Sequence, residues 1–309
     1  MRVVMWLDQR SYYRNPTVQM KESHKKLIEQ FSKMANDGAF GDQIAESQSE
    51  YKQLPNGIPI MLKTVSDFCA GLSSDAPELA KMRQLACQTL IVAYREANRK
   101  DPDIASHFLN SFIQDYPGVP ESCLLPRWTS LVNACLAFRE IAHSQNRLLI
   151  WQQSLKQFQA YNEYLNGLFG YLIILWRTQL GKPVNPNVLN TSYGNKINQL
   201  SKLTGGDQGI FYFYLRLAQP NIRNAIAHES IWLDSDAAIV SYNHGNQNKI
   251  ESQIDLVEFM TYVTSGSHIG QPYLAAIAVI ATMEYGSELA KSLLPESYRK
   301  LFSHITSAT

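Results

Sequence analysis

Most chemistry that can be read directly from a sequence is missing from this chain. Its 309 residues include only four cysteines, Cys69, Cys87, Cys123 and Cys135, with no Cys-x-x-Cys pair among them. That excludes a zinc ribbon and a dense disulfide framework, and leaves reduced, mostly buried thiols as the expectation. There is no Walker loop and no Gly-x-Gly-x-x-Gly, which disfavours a nucleotide-phosphate enzyme. No Gly-x-Ser-x-Gly elbow marks a serine hydrolase. Of the seven histidines, His24, His107, His244, His268 and His304 lack the neighbouring carboxylates or spacing of a metal site, so neither a metal nor another cofactor is expected. A net charge of +1 gives no global field toward nucleic acid or anionic membrane. The most apolar stretches, 165–176 and 273–283, fall short of the roughly 18 residues a membrane span needs. Residues 1–10 carry only a short apolar run before Asp8, unlike a signal peptide. A cytoplasmic protein without a membrane anchor is expected.

What is present suits a folded chain with a substantial core, at 45% hydrophobic and 18% charged residues. Apolar spacing predicts a mainly α protein. A short strand is expected at 2–6 and a helix at 21–34, with Lys25, Lys26 and Lys33 on its solvated face. Further helices are expected at 60–72, 74–99 and 101–116. Pro117, Gly118, Pro120 and Pro126 then punctuate the chain. The boundary is placed there, giving an N-terminal helical region of unassigned role, 1–120, and a helical domain, 121–309. The second part reads as helices at 127–144 and 147–180, a Pro/Asn loop at 181–194, and helices at 193–203 and 207–219. The aromatic residues of 147–180 read as packing. Pro220 suits the first position of a new helix. Residues 237–242 and 249–254 can pair as a β-hairpin, and helices at 256–263 and 272–294 follow.

The one constellation that carries chemistry is Arg223-Asn224-Ala225-Ile226-Ala227-His228. A guanidinium fits a phosphate with its planar fork, and an imidazole exchanges a proton near neutral pH. Spacing alone is weak support, since about one such arginine–histidine pair is expected by chance in a chain of this composition. Arg139-Glu-Ile-Ala-His143 is a near copy one residue short, read as an i,i+4 pair on an ordinary helix face. The later pair has more around it. Asn224 and His228 share a helix face, the spacers are small or apolar, and a helix starts at Pro220. Arg223 lies about 140° round from His228 on an ideal helix. Near a helix N-terminus an arginine is misplaced unless an anion or carboxylate accompanies it.

Residues 222–229, Ile-Arg-Asn-Ala-Ile-Ala-His-Glu, resemble the Arg-x(4–6)-His signature of HEPN domains, including the polar residue directly after arginine. The long helices before the motif, the hairpin after it and the final apolar helix extend the resemblance over about 127–302. The resemblance implies a helical bundle with a small β-hairpin and a metal-independent endoribonuclease acting as a homodimer. It implies a toxin or antiviral, abortive-infection type of effector. It also implies Arg223, Asn224 and His228 as active-site residues, with RNA as substrate and an antitoxin or regulatory protein as a further partner. Ser230 stands where minimal HEPN toxins controlled by nucleotidyltransferases carry tyrosine, so control by tyrosine modification is not expected. Metal-free RNA cleavage needs a base for the 2′-hydroxyl, an acid for the 5′-oxygen and a cation for the phosphate. One motif has one histidine; two motifs across a twofold axis supply both proton-transfer groups. Between Glu163 and Asp207 no acidic residue occurs, while Arg177, Lys182, Lys196 and Lys202 do. These four are weak RNA-binding candidates. The other reading of the motif is a non-catalytic HEPN module for ligand binding, dimerisation or regulation.

Overall fold

The structure, a computed structural model, describes residues 50, 54, 58–245 and 250–303. The strand expected at 2–6, the helix at 21–34, and His24 and His304 lie outside them. In chain order the described helices are α1 (Ile58–Ser74), α2 (Pro77–Lys100), α3 (Pro102–Asn110), α4 (Leu125–Ile141), α5 (Arg147–Gln179), α6 (Tyr193–Thr204), α7 (Tyr212–Leu217) and α8 (Pro220–Ala227). Three strands follow, β1 (Ile231–Asp234), β2 (Ile239–His244) and β3 (Ile250–Asp255), and then α9 (Leu256–Ser267), α10 (Gly270–Tyr285), α11 (Glu288–Ser292) and α12 (Glu296–Ser303). Short 3-10 turns lie at Pro186–Asn190 and Gly206–Gln208. The chain is therefore mainly helical with one small antiparallel sheet, in the order β1-β2-β3. No described helix is long and apolar enough to cross a membrane, and no disulfide joins the four cysteines.

Two compact units divide these elements. One runs to Asp115 and resumes at Gln271; the other is Tyr116–Gly270. The boundary expected near residue 120 separated 1–120 from 121–309, whereas the residues after Gly270 pack with the first unit.

In the first unit, Leu90, Ile91, Ala93 and Ala97 of α2 are wholly buried. Asp75 does not cap α2, whose N-cap is Ala76 without a side-chain bond. It pairs instead with Arg83, which also donates to Gln271 Oε1 and lies over the Phe68 ring at 5.3 Å. Arg83 is 4% exposed, and such a charge is tolerated only with its partners in place.

The second unit is built around α5, 33 residues long. From Phe158 to Leu175 it is buried on nearly every side, so it shows no polar stripe. Its aromatics are packing groups: Phe158 stacks on Phe259 of α9 at 5.1 Å and meets Tyr161 edge-on at 5.0 Å. Close approach is bought with small residues. A Cβ at Gly266 would sit 2.3 Å from the Tyr161 ring, and one at Gly170 would sit 2.7 Å from Leu189.

Several expectations shift at their edges. The helix expected at 127–144 stops at Ile141, so His143 lies beyond it and makes no helical i,i+4 pair with Arg139. The helix expected at 207–219 shrinks to Tyr212–Leu217, because the chain at Gly209 runs hard against the end of α6; a Cβ there would be 1.9 Å from the Thr204 carbonyl oxygen. The apolar run 272–294 breaks at Gly286, whose N–H bonds the Thr282 carbonyl at 2.8 Å before Ser287 caps α11. The expected hairpin is β2–β3, paired from Ile239↔Asp255 to His244↔Ile250, and β1 adds a third strand on its other edge.

Candidate functional site

The motif occupies the second half of α8 and the residue after it. Pro220 holds the first helical position, and the preceding Gln219 has no side-chain cap. Its backbone N–H is taken by Asn162 Oδ1 of α5 at 3.0 Å. The same oxygen accepts the Tyr193 hydroxyl at 3.0 Å, and Asn162 Nδ2 donates to the Phe158 carbonyl at 3.1 Å. Asn162 is wholly buried, so this amide pins the start of the motif helix to the core of α5. Ile222 and Ala225 bury one side of α8. Asn224 and His228 are exposed, and Arg223 is half-buried.

The far end of α8 is closed by the backbone. His228 is the C-cap, and its N–H bonds the Asn224 carbonyl at 3.0 Å. Glu229 takes the left-handed conformation, φ 53°. Its N–H bonds the Ile226 carbonyl at 3.1 Å and the Ser230 N–H bonds the Ala225 carbonyl at 2.8 Å. This pair of bonds is a Schellman closure. Ser230 then ties the closure to the sheet, its carbonyl accepting Asn243 N–H at 2.9 Å and its Oγ donating to the Ala225 and Asn243 carbonyls, each at 3.3 Å. His228 thus stands at the negative end of a short helix, not over free N–H groups at its start.

The carboxylate that Arg223 requires is Glu163 on α5. Arg223 Nε donates to Glu163 Oε1 at 2.7 Å, and Nη2 pairs with the same oxygen. Nη1 donates to Asn224 Oδ1 at 2.8 Å. A guanidinium has five N–H bonds; three are used, which leaves two for an incoming anion. The pair is partly open, with 25% of the arginine side chain and 30% of the glutamate side chain exposed. Its charges are therefore screened in part by water, and orientation of the guanidinium is its larger effect. Beneath it, burial raises the Tyr193 hydroxyl well above the ordinary tyrosine range; Glu163 reinforces that shift and Arg223 opposes it.

Arg223 and Asn224 are therefore joined by a hydrogen bond, and His228 lies exposed at the C-cap of the same helix. Of the four basic residues from the acid-poor segment, one is withdrawn from the surface. Lys196 is 3% exposed, and its Nζ donates to the Asn166 carbonyl at 2.9 Å, Asn166 Oδ1 at 3.0 Å and the Leu189 carbonyl at 2.9 Å. Burial, and secondarily Arg127, push its ammonium down to about 8, against the pull of Glu163. It fastens α6 and the Pro186–Asn190 turn to α5 and offers no charge to a polyanion. Lys182 and Lys202 are exposed, and Arg177 is half-buried. Among the described residues, no group of three or more His, Cys, Asp or Glu is placed to hold a metal.

Glu163 and Asn162 escape sequence reasoning because they lie some sixty residues before the motif on a helix without a polar face. The one signal is that Glu163 is the last carboxylate before the acid-poor stretch. Comparison with protein families, with curated proteins and with solved structures finds no match.

Proposed function

We propose that this chain is a HEPN-type, metal-independent endoribonuclease acting as a homodimer with a composite active site, of the toxin or antiviral kind. The observation that supports it most is the state of Arg223. Its guanidinium is oriented by Glu163 and Asn224 while still partly exposed, with two N–H bonds unspent, and the exposed His228 follows five residues later at the C-cap of the same short helix. In the reaction a base takes the 2′-hydroxyl proton, the 2′-oxygen attacks phosphorus, and an acid protonates the departing 5′-oxygen. The products are a 2′,3′-cyclic phosphate and a 5′-hydroxyl, with no water consumed. His228 is the proton-transfer group and Arg223 steadies the phosphate. Asn224 orients the arginine through its Oδ1. The second histidine comes from a second copy of the chain. An antitoxin or regulatory partner belongs to this reading through the resemblance alone.

The test is RNA cleavage by the full chain in EDTA. His228→Ala is expected to cost about 10²–10⁴-fold in rate, and Arg223→Ala about 10²–10³-fold. Excess His228→Ala chain should suppress the wild type by forming mixed dimers. Intact RNA across varied substrates would overturn the reading.

The second reading, a non-catalytic HEPN module for ligand binding or dimerisation, is favoured by the same ion pair, since three of the guanidinium's N–H bonds are already satisfied within the fold. Glu163→Gln separates the two. An enzyme loses rate while keeping its fold; a module without activity shows only a change in stability.

A further inference from the structure

Arg177 lies 14 residues after Glu163 on α5. On an ideal helix that is about 21 Å along the axis and about 40° short of four full turns. The two side chains therefore leave α5 on nearly the same side. Between them the Pro186–Asn190 turn packs against α5 at Gly170, where Leu189 fills the space a side chain would need. Beyond that turn a cavity of about 220 Å³ opens, lined by Arg177, Asn185, Asn187, Val188, Thr191 and Gln199.

The walls of this cavity are held by bonds that leave its polar groups available. Arg177 Nε donates to the Pro183 carbonyl at 2.7 Å, which fixes the guanidinium plane. Its two amino groups, Nη1 and Nη2, have no hydrogen bond among the described residues. Asn185 Oδ1 accepts the Asn187 N–H at 3.0 Å, so its amide N–H bonds remain as donors. Thr191 Oγ1 is turned to the Val188 carbonyl at 2.9 Å. The side-chain amides of Asn187 and Gln199 are likewise unengaged among the described residues. No carboxylate lines the cavity, and none occurs in sequence between Glu163 and Asp207. A fixed guanidinium with both amino groups open, ringed by neutral amide donors, fits a phosphate group. An amide-lined wall also suits the edges of an unpaired base, the mode by which single-stranded RNA is read.

We infer that this cavity is a second phosphate subsite, holding a backbone phosphate of single-stranded RNA away from the arginine–histidine motif. The inference rests on the ribonuclease reading for the identity of the strand, and it gives that reading a substrate long enough to reach both places. Arg177 binds here and takes no part in proton transfer.

The probe is a short, labelled, single-stranded oligoribonucleotide with 2′-O-methyl riboses, which cannot be cleaved, titrated with the full chain at several salt concentrations. Arg177→Gln is expected to weaken binding about tenfold and to reduce the slope of log affinity against log salt by about 0.7, the loss of one phosphate contact. Gln199→Glu leaves the Arg177–Pro183 bond in place while setting a carboxylate in the cavity. It should weaken binding similarly with an unchanged melting curve. Both losses together support the subsite even if the chain never cuts RNA, in which case only the ribonuclease reading falls. Wild-type affinity in both variants, or in Gln199→Glu alone, overturns the subsite, as does failure of the wild type to bind. Cleavage in EDTA that depends on Arg223 and His228 would then leave the ribonuclease reading standing.

Discussion

Glu229 holds a backbone conformation that glycine adopts freely and other residues adopt at a cost of about 1 kcal/mol or more. Its carboxylate also sits just past the negative end of α8, where a cation would be favoured. Both effects oppose glutamate at this position, and the closing hydrogen bonds come from backbone, so they survive substitution. Glu229→Gly is expected to stabilise the fold by about 0.5–1 kcal/mol, read as a higher urea midpoint with an unchanged slope. Lys196 makes a different prediction. Its folded pKa of about 8 lies below the ordinary 10.5, so between these values the unfolded chain holds a proton that the fold has released. Stability from this group is fully present above pH 10.5 and is lost as pH falls through 8. The difference amounts to about 3 kcal/mol. The stability of wild type minus Lys196→Met, measured by denaturant titration across that window, should therefore rise with pH. A flat difference would show that the three oxygen acceptors offset the burial.

Elements show where the sequence was readable. The bounds of α5 follow from long helical periodicity, with Asn146 capping its start through Leu149 N–H at 3.1 Å. The start of α8 follows from Pro220, and β2 and β3 follow from a change to alternating pattern. What escaped is short or set by contact at a distance. At four residues β1 is too brief for its alternation to stand out, and it is defined by pairing with β2. Likewise Arg223, Asn224 and His228 are legible as a local spacing, whereas Glu163 becomes their neighbour only because α8 packs on α5. The loss of Lys196 as a surface cation has the same origin, since nothing local distinguishes a lysine that will find three carbonyl and amide oxygens. Gly266 marks a close approach of α9 to α5. Gly266→Ala drives a methyl into a rigid Tyr161 ring, and is expected to destabilise the second unit by about 1–3 kcal/mol. Thermal melting of the variant checks this.

At the scale of the whole molecule, the expected helical composition is present but the division of the chain is not consecutive. Residues after Gly270 supply Tyr273, which meets Phe108 at 6.0 Å and bonds Ser111 Oγ at 2.8 Å, and Gln271, which bonds the buried Arg83. They also supply Tyr298, itself 2% exposed. Ending the chain after Gly270 should therefore unfold the first unit, by leaving Arg83 short of a partner and opening its core. The second unit keeps all the contacts described around the motif. Limited proteolysis of the truncated chain is expected to digest residues 58–115 and to spare 116–270.

That interrupted arrangement has a consequence for synthesis. Domains fold as units while the chain emerges at about 5–20 residues per second. The unit carrying Arg223 and His228 is complete once Gly270 is out. The unit that began earlier must wait for Gln271, Tyr273 and Tyr298 before its core can close. The motif-bearing unit thus has all its residues first, while the other still lacks the last part of its core.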